Sequence, residues 1–103
     1  MINYGVAIKR IRSELGIKQM DIAAKTGLSA SYLSLVENGK SVPSLSTLKQ
    51  IADAMDLPYE LLAWEAIEPP EDLNTEQKRA LFLARSVTND FLQNLKSRRV
   101  KAK

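Results

Sequence analysis

The sequence contains no histidine and no cysteine. Histidine is the side chain that most often serves as a base near neutral pH and as a metal ligand, so both roles lose their usual carrier. Without cysteine there is no disulfide framework and no thiolate chemistry. Aromatic residues are sparse, with two Phe, three Tyr and one Trp. They form no exposed platform of the kind on which single-strand nucleic-acid binders stack bases. No apolar run approaches the ~18 residues of a membrane span. No charged-then-apolar leader opens the chain, so a soluble, cytoplasmic protein is expected. Together these absences weigh against an enzyme, a metalloprotein and a membrane protein, and no cofactor is implied. The string Ser46-Thr47-Leu48-Lys49 fits the Ser-x-x-Lys pattern of some serine acylases. It has no companion motif and reads as coincidence.

What remains is a short, apolar-rich chain. Its 103 residues suit one domain with an appendage, and 45% apolar content is enough for a small core. The net charge of +3 is unevenly placed. Residues 1–58 sum to +2, residues 59–95 to −4 and residues 96–103 to +5. A basic front, an acidic middle and a basic tail suit different neighbours.

Helical periodicity runs through the chain, and strand-like alternation appears nowhere. Tyr4, Ile8, Ile11 and Leu15 predict a first helix stopped at Gly16. Residues 19–26 predict a second, with Ile22 and Ala23 inward, ended by Gly27. Ser29 is placed to cap a third helix, which runs to about Asn38 and stops at Gly39. Ser44 caps a fourth, whose stripe is Leu45, Leu48, Ile51, Ala52 and Met55. Asp56-Leu57-Pro58 breaks it, and Pro58 opens a short fifth helix with Leu61, Leu62 and Trp64 inward. The expected divisions are a five-helix domain over 1–67, a Pro-rich linker over 68–73, a helix over 74–97 and a basic tail over 98–103. Asn74 and Gln77 have the spacing of a capping box at the start of the last helix.

The stretch from Gln19 to Glu37 holds the pattern with functional content. Two helices of about two turns flank a bend at Gly27. A small residue, Ala23, stands where they cross, and Leu33 and Val36 anchor the second helix. This is the spacing of a helix-turn-helix, in which the first helix braces and the second stands proud of the surface. With Leu33 and Val36 inward, Ser31, Ser34, Leu35 and Asn38 share the outer face at i, i+3, i+4 and i+7, and Ala30 lies at its N-terminal edge.

These residues resemble the lambda repressor/Cro-like, or XRE-type, helix-turn-helix family. The resemblance extends through "IKRIRSELGIKQ" and "ENGKSVPSLSTLKQIADAMDLPYELL", over residues 4–64. It implies an all-α, compact five-helix DNA-binding domain followed by a C-terminal helix. It implies phosphate contacts from Gln19, Asn38 and Lys40, with Tyr32 either a further phosphate contact or a half-buried ring packed on the first helix, and a structural ion pair between Arg12 and Glu37. Ser29, Ala30, Ser31, Ser34 and Leu35 fall at or near the base-reading positions. Many relatives place Gln, Arg or Asn at positions 29–31, where this chain has Ser, Ala and Ser. The base code is therefore left undefined.

The expected function is a transcriptional regulator, a repressor acting by promoter occupancy. It would bind double-stranded DNA at a palindromic operator as a homodimer. Ala84, Val87, Phe91 and Leu95 line one face of the last helix and are the expected dimerisation stripe. The alternative is a protein-interaction module, such as an antitoxin or regulator subunit, whose C-terminal helix binds a partner protein; a helix that packs back on its own domain is the third.

Overall fold

The computed structural model describes residues 2–101, with side chains through Arg98. The fold is all-α. Among the described residues six helices follow in order: α1 (Tyr4–Glu14), α2 (Gln19–Thr26), α3 (Ala30–Glu37), α4 (Leu45–Ala54), α5 (Tyr59–Ala66) and α6 (Thr75–Lys101). The chain divides into two compact units, Met1–Glu68 and Pro69–Lys103.

In the first unit, short helices start and stop by local chemistry. The Ser29 and Ser44 hydroxyls accept from the backbone N–H groups of Tyr32 and Thr47 at 3.0 and 3.1 Å, capping α3 and α4 as the sequence predicts. At the end of α3, Gly39 adopts φ 75°, and the N–H groups of Gly39 and Lys40 fold back onto the carbonyls of Val36 (3.1 Å) and Leu35 (2.8 Å). This paired closure satisfies two orphan carbonyls and fixes where the chain leaves the helix. Asp56 takes a similar left-handed conformation (φ 58°) after α4, which Asp tolerates better than most residues.

None of these helices, 8 to 11 residues long, is stable alone, so burial of their apolar faces holds them. Ile8, Ile11, Ile22, Leu33, Val36, Ile51, Met55 and Leu62 are fully buried. α1 packs on α5 and α3, α2 on α3 and α4, and α4 on α5. Leu45 departs from its expected place in the stripe: it is 55% exposed, because the first turn of α4 lies outside the core. Two contacts at the ends of the unit have no periodic signal. Ile2 and Ile67 form an isolated antiparallel bridge, and the Asn3 N–H donates to the Ala66 carbonyl at 2.7 Å. Arg10 of α1 pairs with the buried Glu65 of α5.

The second unit is α6. Its capping box forms as predicted: the Gln77 N–H donates to Asn74 Oδ1 (2.8 Å), and the Asn74 N–H donates to Gln77 Oε1 (2.9 Å). The helix continues to Lys101 rather than ending near Ser97. No glycine or proline stands between Ser97 and Lys101. Arg and Lys are good helix formers. Part of the expected basic tail is thus helical, while Ala102 and Lys103 lie outside the described residues.

Candidate nucleic-acid interface

α2 and α3 meet through a turn built from small and hydroxylic residues. Gly27 ends α2 at φ 78°, a conformation costly for any side chain bearing a Cβ. The Thr26 hydroxyl donates to the Ile22 carbonyl (2.7 Å) and accepts from the Leu28 N–H (3.1 Å). Thr26 thereby ties the last turn of α2 to the start of the bend.

α3 divides cleanly by face. Leu33, Val36 and Glu37 are buried. Ala30, Ser31, Leu35 and Asn38 are exposed, and Tyr32 and Ser34 are half-buried. Ser29 is exposed too, but its hydroxyl serves the cap, leaving less of it for any outside contact. Asn38 is the C-cap residue of α3, and Lys40 stands exposed just beyond it. Ala30, Ser31 and Leu35 thus present a shallow outer face lacking long polar side chains.

A polar network braces this helix from behind. Arg12 donates from Nε to Glu37 Oε2 at 2.8 Å, from Nη2 to Glu37 Oε1 at 3.0 Å, and from Nη1 to the Ile17 carbonyl at 2.9 Å. The Glu37 side chain is only 3% exposed, so this two-point pairing is what makes its burial tolerable. Gln19 donates from Nε2 to Glu37 Oε1 (3.0 Å) and accepts from the Ser34 hydroxyl at Oε1 (3.2 Å). Gln19 therefore points inward at α3, with one Nε2 proton left for an outside partner. Ser34 spends its proton on Gln19.

Two features of this site escape sequence reasoning. The first is the Gln19–Ser34 bond, which depends on how α2 and α3 cross. The second is Gly5. A Cβ there would sit 2.2 Å from the Val36 carbonyl oxygen and 3.0 Å from that of Glu37. Glycine is what lets α1 pass directly over the end of α3. A lone glycine inside a helical pattern is the signal that points to it, since such residues usually have a packing reason.

Among the described residues there is no cluster of carboxylates fit to hold a metal ion, and no helix is long and apolar enough to cross a membrane. Residues 8–62 match the profile of the helix-turn-helix family, covering more than half of the chain. The chain belongs to this family. It is similar to the HTH-type transcriptional repressor RghR of Bacillus subtilis, 36% identical over 67 residues, which is 64% of this chain and 50% of that protein. It is 38% identical over 68 residues to the ImmF control region 10 kDa protein of Bacillus phage phi105, covering 66% of this chain and 76% of that one. The Immunity repressor protein of the same phage is 39% identical over 64 residues, 62% of this chain and 44% of its own length. The match thus spans about half or less of the two relatives named as repressors.

Proposed function

We propose that this chain is a sequence-specific, double-stranded DNA-binding transcriptional regulator that represses by occupying a promoter. The observation that carries the reading is α3 itself. Its inner side is clamped by Leu33, Val36 and Glu37, while Ala30, Ser31 and Leu35 stand free on the outer side. A helix held this way can enter the major groove, where base edges display a distinct pattern of donors, acceptors and methyl groups. Leu35, 45% exposed, suits a thymine methyl. Gln19, Asn38, Lys40 and Tyr32 would set the register through phosphates, and no catalytic step is required.

Homodimerisation through α6 completes the proposal. Val87 and Phe91 are exposed and Ala84 and Leu95 half-exposed on one side of that helix, with Leu83 widening the stripe. A dimer would set two reading helices about one DNA turn, roughly 34 Å, apart on a palindromic site. The same apolar stripe also supports a second reading, a protein-interaction module such as an antitoxin or regulator subunit, in which α6 binds a partner protein. Selection from a random duplex library separates the two. Enrichment of a twofold-symmetric motif is expected. An unselected pool would set the DNA-binding reading aside in favour of the partner-binding one.

A further inference from the structure

Ser34 differs from the other outward residues of α3 because the direction of its hydroxyl is dictated from behind. A carboxylate held by a guanidinium only accepts hydrogen bonds. Glu37 is such a group, gripped by Arg12 at 2.8 and 3.0 Å. Gln19 must therefore present its Nε2 to Glu37 Oε1, at 3.0 Å. The flipped amide would set two acceptors against each other at that distance. With Nε2 placed, Gln19 Oε1 faces Ser34 Oγ at 3.2 Å. Two acceptors cannot bond, so the serine proton points at Gln19. Only the lone pairs of Ser34 remain for anything outside.

We propose that the chain Arg12–Glu37–Gln19–Ser34 makes Ser34 an acceptor-only reader, selecting an amino base over a keto base on the strand it faces. The inference rests on α3 being the DNA-reading helix. In the major groove adenine N6 and cytosine N4 are donors, while guanine O6 and thymine O4 are acceptors. A freely rotating serine serves either kind and discriminates weakly. A locked one divides the four base pairs two against two. One neutral hydrogen bond gained or lost at that position is worth about five-fold in affinity. Ser34 is the group that touches the base. Gln19 is a positioning residue that acts through it.

The test has two parts, both on the full chain. In the free, ¹⁵N-labelled protein, one Gln19 side-chain amide proton should exchange with solvent more slowly than those of the exposed Gln50, and Ser34→Ala should shift the Gln19 pair. Equally fast exchange of both Gln19 protons would overturn the lock. Selection from random duplexes is then run with the wild type, Ser34→Ala and Gln19→Ala. The wild type should confine one position per half-site to adenine or cytosine on one strand. Ser34→Ala should erase that bias and leave the rest of the motif standing. Gln19→Ala, which frees the hydroxyl and also removes a phosphate contact, should bind more weakly overall yet admit guanine and thymine at the same position. If Ser34→Ala changes no position, or Gln19→Ala keeps the adenine/cytosine bias, the proposal is wrong although DNA binding stands. A wild type that selects no motif while its Gln19 proton exchanges slowly overturns the DNA reading, and the proposed use of the lock with it.

Discussion

Replacing Arg12 with Met keeps most of the side-chain bulk and removes the guanidinium. The Glu37 carboxylate, 3% exposed, then retains one neutral partner, Gln19 Nε2, out of three donors. The Ile17 carbonyl loses its Arg12 donor as well. Breaking one side of a buried ion pair costs roughly 3–5 kcal/mol, because a charge is left in the interior without its counterpart. A unit of this size is held by only about 3–10 kcal/mol in total. Arg12→Met should therefore lower the unfolding midpoint by at least ~12 °C, at about 4–8 °C per kcal/mol, or leave the first unit unfolded. The decisive comparison is the double variant Arg12→Met/Glu37→Met. Apolar replacement of both partners is often neutral, so the second substitution should restore most of what the first removes. Urea denaturation of the wild type, the two single variants and the double variant gives the coupling directly. A double variant whose loss equals the sum of the singles would refute the argument that the uncompensated charge is what matters. So would an Arg12→Met protein within 1 kcal/mol of wild type.

Four further outcomes follow from particular contacts. Gly5→Ala should lower stability by about 1–3 kcal/mol in urea denaturation, despite alanine's better helix propensity, because the new methyl meets the Val36 carbonyl at 2.2 Å. A gain in stability would mean α1 and α3 can separate without cost. Gly27→Ala meets no neighbour within 4 Å, so its loss of about 1–2 kcal/mol should come from the backbone alone; Gly27→Asn should lose less in the same assay. Lys40→Ala should weaken binding to all duplexes alike and flatten the salt slope by about one unit, read from anisotropy titrations at several salt concentrations. A changed base preference would instead make Lys40 a base reader. Truncation after Ile67 should give a folded monomer with weak operator affinity in sedimentation and binding assays, whereas a truncated dimer would remove α6 from the dimerisation role.

What was legible in the sequence is what depends on near neighbours. Ser29, Ser44 and the Asn74–Gln77 pair announce helix starts because a cap involves residues only two or three positions apart. Gly27 and Gly39 announce stops because a left-handed residue favours glycine wherever the chain goes next. Buried Ile8, Ile11, Leu33 and Val36 follow from period alone. Leu45 shows where period fails: a residue in the first turn shares the helix's phase yet lies past the edge of the packed layer. Gly5, Gln19 and Ser34 fail differently. Their partners are set by the angle and distance at which two helices cross, and nothing within a few residues of any of them encodes that.

The Gln19 side chain makes the difference concrete. At the start of α2 it stands where the resemblance implies a phosphate contact. That reading does not fix which way its amide faces. That direction is decided 18 residues away by Glu37, which is decided in turn by Arg12, 25 residues away. A buried ion pair is weak evidence for stability, since apolar residues of similar volume would often hold the helices as well. Leucine or methionine at both positions would keep α1 against α3, but would not orient the Gln19 amide and would leave the Ser34 hydroxyl to rotate. What the charged pair supplies that packing cannot is direction, transmitted through two hydrogen bonds to the outer surface of α3.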